Sequence, residues 1–302
     1  MAKEKIDFEK AFLKGHKSYD SAVGDWWERQ AGNGAHRKAH ATVAEFAFKE
    51  YRRKGKGGPK WIVDYACGGG IFLATLAARF PEARIVALDG SRKMLDLAGK
   101  RLEKAGFDSG AVDAKRCFDT VGPRIRLVQT SLPNFSLPAG KADMLIFLFP
   151  NLTPSPSDQD YYDKHGYKNR EDVRVCKVLA RLREMDPEDE VAVVKPEDLY
   201  ESLMTDRVIS RNLRHLLKKG GTCFKVDYAN AQREELSELT QIRSLFTEGA
   251  LEKPVKDLWC GAFFRYVKNR FHRSQVILDV YHQTRDPSDK TGGYFISELT
   301  AI

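Results

Sequence analysis

Two acidic residues and a glycine-rich loop have the types and spacing needed to hold a nucleoside-containing ligand. Asp64 lies four residues before Gly68 in the run Trp61-Ile-Val-Asp-Tyr-Ala-Cys-Gly-Gly-Gly70, and Asp89 ends the later run Ala83-Arg-Ile-Val-Ala-Leu-Asp89. Glycines let the backbone approach a ligand closely and adopt dihedral angles that other residues resist. An acid about twenty residues beyond such a loop accepts hydrogen bonds from ribose hydroxyls. The pattern therefore predicts a site for a polar ligand with a free 2′-hydroxyl.

The elements that must position these residues are a strand, a tight loop and a helix. Three apolar residues, Trp61–Val63, lead into the first acid, and Ile71–Ala78 has the composition of a helix. The N-terminus of that helix offers unpaired N–H groups and the positive end of the helix dipole. A dinucleotide fingerprint would need a third glycine where Leu73 stands. A nicotinamide-dependent dehydrogenase is therefore an alternative that this loop disfavours.

The combination of Asp64-x-x-Cys67-Gly68-x-Gly70 with Asp89 resembles the first two motifs of the class I S-adenosylmethionine-dependent methyltransferases. The resemblance implies a Rossmann-like α/β fold and S-adenosyl-L-methionine as the cofactor. It also implies that Gly68 and Gly70 pack under the methionine part of the cofactor. Asp89 would hold the ribose, and Asp64 would lie near the amino end.

The resemblance continues through later segments of the core. Ile125–Gln129 and Ala142–Phe149 resemble the third and fourth strands, and Leu216–Gly221 followed by Thr222–Asp227 resembles a helix, a glycine turn and the fifth strand. Ser131 stands where many family members have an acid that contacts the adenine amino group. The remaining cofactor-binding residues that the resemblance implies lie beside these motifs: Ala66, Cys67, Gly90, Ser91, Met94, Leu132 and Phe147.

The alternation of strand and helix patterns predicts a Rossmann-like, seven-stranded, mostly parallel sheet with an antiparallel terminal hairpin. We expect one domain over residues 1–302, with an N-terminal helical lid at 1–58 and a substrate-cap insertion at 151–205 after strand four. Residues 59–150 and 206–302 would form the core.

Two apolar segments near the C-terminus predict the terminal hairpin. Leu258–Val267 and Gln275–His282 have strand composition, and the basic stretch 268–273 suits the turn between them. Gly292–Thr300 would add an edge strand. Residues 108–123 are polar and contain glycine, which indicates a helix and a loop.

Candidate substrate-binding residues lie in the lid and in the cap. They are aromatic or amide side chains near the expected ligand edge of the sheet: Tyr19, Trp26, Trp27, Asn151, Tyr161 and Tyr162. The two tryptophans equally suit a packing role between helices and sheet. His165, among the tyrosines of the cap, is the candidate general base, and its alternative is a surface histidine on a polar loop.

Composition narrows the class of protein. The 302 residues are 42% hydrophobic, and no apolar run among them is long enough to span a membrane. The first residues are charged, and the apolar segment expected of a signal peptide does not follow them. Five scattered cysteines without Cys-x-x-Cys spacing predict neither a disulfide framework nor a zinc site, so we expect no metal and a cytoplasmic location. The net charge of +8 is concentrated in the first sixty residues, whereas 151–205 is acidic. An acidic cap suits a neutral or cationic small substrate better than a polyanion.

The sequence thus predicts methyl transfer from S-adenosylmethionine to a small-molecule acceptor by in-line displacement. Two alternatives remain open: an RNA or protein methyltransferase, which the basic N-terminal third favours, and a non-catalytic cofactor-binding protein of the same fold. The sequence leaves open the identity of the accepting atom and the oligomeric state.

Overall fold

The computed structural model describes residues 19–20, 22–55, 57–131, 136–149, 209–230, 263–274 and 292–302. The cap insertion 151–205 and the expected strand 275–282 lie outside the described residues.

Four α-helices and eight strands make up most of the described chain. The helices are α1 (Ala22–Ala31), α2 (Gly34–Arg53), α3 (Ile71–Arg79) and α4 (Arg92–Lys104), with a 3-10 turn at Ala114–Arg116 and helical backbone at 209–216. The strands are β1 (Trp61–Tyr65), β2 (Arg84–Asp89), β3 (Ser109–Ala111), β4 (Ile125–Gln129), β5 (Ala142–Leu148), β6 (Leu217–Asn230), β7 (Phe264–Arg273) and β8 (Gly292–Ala301).

These strands form one mixed sheet in the order β3-β4-β2-β1-β5-β6-β8-β7. The pairs from β3 to β6 are parallel, and β8 is antiparallel to both β6 and β7. The strand order reverses at β1, which lies between β2 and β5. Ligands of open α/β sheets bind outside the carboxyl ends of the strands at such a reversal. The Rossmann-like fold class is therefore confirmed, and it places Asp64 and Asp89 on neighbouring strands at that edge.

Burial explains why these strands read as continuous apolar runs. Ile62 and Val63 of β1 and Ile85 and Val86 of β2 are fully buried, as is typical of parallel strands that are covered on both faces. The apolar face of α2 packs with α3 and α4 into the core that covers the sheet. The ends of β1 and β2 therefore form a rigid base for the site.

The described sheet differs from the prediction in three places. Strand β6 begins at Leu217, inside the segment 216–221 that the resemblance assigned to a helix and a glycine turn. The edge strand β3 occupies 109–111, inside the segment expected to be a helix and a loop, so the described sheet has eight strands rather than seven. It is only three residues long and contains glycine, so it lacks the apolar alternation that would reveal a strand.

The C-terminal hairpin also differs from the prediction. Strand β7 runs through 268–273, which was expected to be a turn, and β8 lies between β6 and β7 rather than at an edge. The basic side chains misled the prediction, since charged residues are also typical of an exposed edge strand. Strand β8 is interior because it pairs with β6 on one side and β7 on the other, and its side chains Ile296 and Leu299 are buried.

A buried ion-pair network fastens the C-terminal end of α2 to the sheet. Glu298 of β8 is fully buried, 2.8 Å from the Lys54 ammonium and 3.8 Å from that of Lys268. Lys54 Nζ also donates to Thr222 Oγ1 at 2.8 Å. Pairing offsets part of the free-energy cost of burying these charges. The network therefore fixes α2 over the sheet, and with it the N-terminal residues of that helix.

No helix in the described part of the chain is both long and apolar enough to cross a membrane. Cys67, Cys117 and Cys223 are buried and free of disulfides.

Candidate cofactor site

The glycine loop between β1 and α3 is held in a left-handed backbone conformation at three positions. Ala66, Gly68 and Gly70 have φ angles of 62°, 52° and 77°. A Cβ atom at Gly70 would lie 2.7 Å from the Cβ of Ala98 in α4, so only glycine allows this close packing. A Cβ at Gly68 would meet no protein atom within 4 Å. The loop is thus tight against the protein at Gly70 and open at Gly68, where a ligand can approach the backbone.

Asp89 organises the loop with both of its carboxylate oxygens. Oδ2 accepts a hydrogen bond from the Gly68 N–H at 2.8 Å, and Oδ1 accepts one from the Ser91 N–H at 2.9 Å. Burial raises the pKa of Asp89 to about 6, against the lowering effect of these amide hydrogen bonds. Each oxygen of a carboxylate has a second lone pair. The side chain can therefore hold the loop and accept two ribose hydroxyls at the same time.

Asp64 is a buried acid with an unused oxygen. The residue is 2% exposed, and Oδ2 has no hydrogen-bond partner among the described residues. Burial raises the pKa of Asp64 to about 7, and the neighbouring charge of Asp89 adds to the rise. Buried carboxylates are normally paired. The arrangement therefore fits a cationic ligand group, such as the ammonium of an amino acid, at the end of β1.

The end of the site beyond β4 carries a second unused polar atom. Ser131 Oγ is buried and has no hydrogen-bond partner in the described part of the chain. Thr130 immediately before it donates its N–H to the Asp89 carbonyl at 2.9 Å, which ties this segment to the end of β2. The hydroxyl therefore lies at the carboxyl edge of the sheet, on the side of β2 away from the glycine loop, where a nucleobase would extend.

The segment before α2 is fastened to α4, next to the glycine loop, through three ionic or polar contacts. Asp20 Oδ1 accepts from Ser91 Oγ at 2.6 Å, and Asp25 pairs with Lys93 at 2.6 Å. Glu28 pairs with Arg101 at 2.6 Å, and the guanidinium of Arg101 also donates to the Gly69 carbonyl. The N-terminal segment thus lies beside the cofactor loop, where a lid would have to be.

Ser91 has a structural role in addition to its contact with Asp20. Its Oγ accepts from the Met94 N–H at 3.1 Å and so caps the N-terminus of α4. Met94 is 3% exposed and lies beside Gly24 of α1. These two predicted cofactor-binding residues therefore join α4 to the N-terminal segment.

The remaining predicted site residues fall into three groups. Cys67 and Phe147 are buried, and the Phe147 ring packs edge-on against Tyr65 at 5.2 Å. Gly90, Tyr19 and Trp27 are half-buried, with Tyr19 before α1 and Trp27 in it. The side chain of Trp26 and five other predicted residues lie outside the described part of the chain: Leu132, Asn151, Tyr161, Tyr162 and His165.

Sequence reasoning missed two histidines on the first turns of α2. His36 and His40 are 2% and 4% exposed, and their rings are 6.4 Å apart. Asn33 Oδ1, which caps α2, accepts from the His36 N–H at 2.9 Å and lies 3.1 Å from its Nδ1. Burial lowers the pKa of His36 to about 4 and that of His40 to about 3, so both rings are neutral at pH 7. Their i, i+4 spacing was the available signal, since it places both on one helix face.

The described residues contain no group of three or more His, Cys, Asp or Glu side chains that could hold a metal ion.

The fold is Rossmann-like, and the groups at the ends of β1 and β2 fit a nucleoside-containing ligand. Comparison with known proteins gives a family-model match over part of the chain. Residues 62–163 match the family model described as a methyltransferase domain. This match supports the resemblance to the class I S-adenosylmethionine-dependent methyltransferases.

Similarity to individual proteins is partial. The chain is 43% identical over 49 residues to a trans-aconitate 2-methyltransferase of Methylobacterium radiotolerans, which covers 16% of this chain and 19% of that protein. It is 34% identical over 96 residues to the enzyme of the same name from an Acidovorax species, covering 32% and 35%. The chain therefore spans about a third or less of the length of these curated relatives.

Among solved structures, magnesium protoporphyrin IX methyltransferase from Synechocystis PCC 6803 with bound SAM has a TM-score of 0.51. It is 13% identical, and the match covers 99% of each chain. At this identity the likeness shows the fold alone.

Proposed function

We propose that this protein transfers a methyl group from S-adenosylmethionine to a small-molecule acceptor. The observation that carries the proposal is the pair of acids, buried Asp64 and half-buried Asp89, on either side of a positive-φ glycine loop. Asp64 Oδ2 lacks a partner among the described residues, and the two Asp89 oxygens each retain a lone pair. These carboxylate oxygens can accept hydrogen bonds from the ammonium and the ribose hydroxyls of one ligand.

When bound, the cofactor supplies a methyl group on a sulfonium, which is already activated toward displacement. The residues of this chain bind and orient it. Asp64 holds the amino end, Asp89 accepts from the ribose hydroxyls, and the open backbone at Gly68 lies between them. Ser131 Oγ is the polar group available to the adenine.

The acceptor must approach the methyl group in line, and the N-terminal segment is suited to enforce this. Ion pairs from Asp25 and Glu28 to Lys93 and Arg101 hold α1 against α4, beside the glycine loop. Positioning two reactants in this way supplies about 7–11 kcal/mol in favourable cases. Tyr19, Trp26 and Trp27 of this segment are the proposed acceptor contacts on the lid side.

A small-molecule acceptor is supported by the partial similarity to trans-aconitate 2-methyltransferases. The acidic segment 151–205, which closely follows β5, is the proposed cap over the acceptor. In it we propose Asn151, Tyr161 and Tyr162 as acceptor contacts and His165 as a general base.

Calorimetry with S-adenosylhomocysteine tests the cofactor assignment. We expect binding to the wild-type protein and a loss of at least about tenfold in Asp89→Ala, because a charge-assisted hydrogen bond is worth roughly 1.5–3 kcal/mol. Asp143→Asn is the matched control. Asp143 also accepts two backbone N–H groups, from Lys60 and Trp61, but it lies at the opposite edge of the sheet. No heat with the wild-type protein, or equal losses in both variants, would refute the assignment.

Turnover of labelled cofactor separates the proposed enzyme from a non-catalytic binding protein. We expect methyl transfer to at least one member of a small-molecule library that includes phenols and alcohols as well as trans-aconitate. Transfer only to RNA or to protein would contradict the small-molecule assignment, and steep salt dependence of binding would identify the RNA case.

A further inference from the structure

An imidazole cluster lies at the carboxyl edge of the sheet beside the glycine loop. We define it as His36, His40, Phe72 and Phe149. The His40 ring packs edge-on against Phe72 at 5.6 Å, and the His36 ring packs edge-on against Phe149 at 5.6 Å. The two imidazoles therefore sit between two aromatic rings that come from different parts of the core.

These two aromatic residues locate the cluster relative to the cofactor site. Phe72 is the second residue of α3, directly after the glycine loop. Phe149 follows β5, whose Phe147 pairs with Tyr65 at the end of β1. The cluster thus lies over the ends of β1 and β5, next to the loop that would hold the methionine part of the cofactor. An acceptor must reach this region to meet the methyl group.

The backbone at this point is strained. Phe149 has a φ of 46°, which is rare for a residue other than glycine, asparagine or aspartate. Its N–H donates to the Val226 carbonyl at 2.8 Å, so the neighbouring strand holds the conformation in place. Strain of this kind persists where the surrounding structure over-determines it and is frequent at ligand sites.

His40 contributes an unused polar atom to the cluster. The residue is 4% exposed, and Nδ1 has no hydrogen-bond partner among the described residues. A buried nitrogen without a partner costs roughly 1–3 kcal/mol, so its presence calls for an explanation. A ligand hydroxyl that donates to this nitrogen would provide one.

We propose that the acceptor is an uncharged molecule with a hydroxyl group, a phenol or an alcohol, which binds against the imidazole cluster and donates its hydroxyl hydrogen to His40 Nδ1. This inference rests on the proposed methyltransferase function. It names the acceptor class and assigns His40 as a catalytic residue in addition to the proposed base His165.

The step balances in atoms and charge. A lone pair of the hydroxyl oxygen forms the new bond to the methyl carbon, while the methyl–sulfur bond breaks and its electron pair stays on sulfur. The hydroxyl proton moves to His40 Nδ1. The positive charge that began on the sulfonium ends on the imidazolium. An oxygen that carries both a methyl group and a proton is far more acidic than imidazolium, so even a buried imidazole accepts this proton.

The electrostatics of the cluster disfavour a carboxylate acceptor. Both imidazoles are neutral at pH 7, because burial lowers the pKa of each. The cation that acts electrostatically on His40 is Arg37, whose side chain is exposed on α2. A carboxylate placed against His40 would lose its hydration without gaining a buried cationic partner from the described residues, which is costly.

Two variants of His40 test the role. His40→Phe keeps a planar ring but removes the nitrogen, whereas His40→Asn keeps a polar atom near the Nδ1 position. We expect His40→Phe to lose about 100-fold or more in kcat, the lower end of general acid–base effects, and His40→Asn to lose less. Binding of S-adenosylhomocysteine should stay within about threefold of wild type in both, because Asp64 and Asp89 are unchanged.

Thermal denaturation distinguishes this role from a structural one. His40→Phe removes a buried polar atom without a partner, so its Tm should equal or exceed that of the wild type while activity falls. His272→Phe is the matched control. His272 Nε2 is also buried and unpartnered among the described residues, but its ring stacks on Tyr294 at 5.2 Å, outside the cluster. We expect its kcat to be unchanged. A fully active His40→Phe variant would overturn the proposal.

Imidazole NMR of the histidine-labelled protein, saturated with S-adenosylhomocysteine, tests the acceptor class without turnover. Phenol is the neutral probe and benzoate its charged counterpart. We expect phenol to shift the His40 ring nitrogen resonance, and benzoate to leave it in place. Equal shifts with both probes, or no shift with phenol, would overturn the acceptor class. Failure of S-adenosylhomocysteine itself to bind would instead refute the proposed function on which this inference rests.

Discussion

Replacing Asp64 by asparagine should make the ligand-free protein more stable and the cofactor complex weaker. Asp64 is 2% exposed, and its Oδ2 has no hydrogen-bond partner in the described part of the chain. The charge of its carboxylate is therefore unfavourable until a cation arrives. An asparagine side chain has nearly the same shape and no charge, so Asp64→Asn isolates the electrostatic contribution.

The pKa values give the size and the pH window of the effect. Burial raises the pKa of Asp64 from 3.8 to about 7, with a smaller contribution from Asp89. The folded protein therefore binds this proton more tightly than the unfolded chain, and stability is lost as the pH rises from about 4 to about 7. At about pH 8 the cost approaches roughly 4 kcal/mol, since each pKa unit corresponds to about 1.4 kcal/mol.

Urea denaturation of the ligand-free proteins measures this difference. At about pH 8 we expect Asp64→Asn to unfold at higher urea concentration than wild type, by an amount equivalent to about 2–4 kcal/mol. Near pH 4 the gain should vanish, because wild-type Asp64 is then protonated as well. Asp89 titrates with a pKa of about 6 and is present in both proteins, so its own contribution largely cancels from the comparison.

Calorimetry on the same pair of proteins should give the opposite ranking. At about pH 8 we expect Asp64→Asn to bind S-adenosylhomocysteine at least about tenfold more weakly, because the ammonium loses its charged partner. Wild-type affinity should fall as the pH drops below about 7, and the variant should lack that component. Equal stability and equal affinity of the two proteins at about pH 8 would refute the reasoning.

Three further substitutions test the frame around the site by urea denaturation. Glu298→Ala should destabilise the fold by about 2–4 kcal/mol, because it leaves the Lys54 ammonium without its partner at 2.8 Å. A urea midpoint equal to that of the wild type would show that this ion pair does not stabilise the fold. Gly70→Ala should lower the free energy of unfolding by about 2–3 kcal/mol and abolish cofactor binding, because φ is 77° and the new Cβ would clash with Ala98. Wild-type affinity for S-adenosylhomocysteine in calorimetry would contradict this. Arg126→Met should cost about 2–4 kcal/mol, because three backbone carbonyls lose their buried donor, and retention of stability would argue that water replaces the guanidinium.

The parts of the site that the sequence predicted correctly are those encoded by local pattern. Strand β1 was predicted from three apolar residues before Asp64, and β2 ends at Asp89 as expected. Both strands are buried on two faces, so their apolar runs are unambiguous. A short glycine loop between such a strand and a helix has few allowed backbone conformations. The positions of the two acids therefore follow from about thirty contiguous residues.

The features that escaped prediction depend on contacts distant in sequence. Whether a basic stretch forms a turn or an edge strand depends on its neighbour, and the neighbour of β7 is β8, about twenty residues further on. The sequence around His36 and His40 is that of an ordinary helix. The packing of Phe149 against His36 brings together residues more than a hundred positions apart, so local sequence does not predict it. The hydrogen bond from Ser91 to Asp20 likewise joins two segments about seventy residues apart, and neither segment alone predicts it.

The buried groups that lack partners explain why binding and stability should be coupled in this protein. Asp64 Oδ2, Ser131 Oγ and His40 Nδ1 are among the buried atoms without hydrogen-bond partners in the described residues, and they belong to residues at or beside the carboxyl edge of the sheet. Each is destabilising in the ligand-free fold. The ion pairs of Glu298 and Glu28 hold the surrounding helices and strands in place. These elements therefore do not move to supply hydrogen-bond partners for the three atoms. A ligand that forms hydrogen bonds with these atoms removes the free-energy cost of leaving them unpaired. Ligand binding should therefore raise the free energy of unfolding.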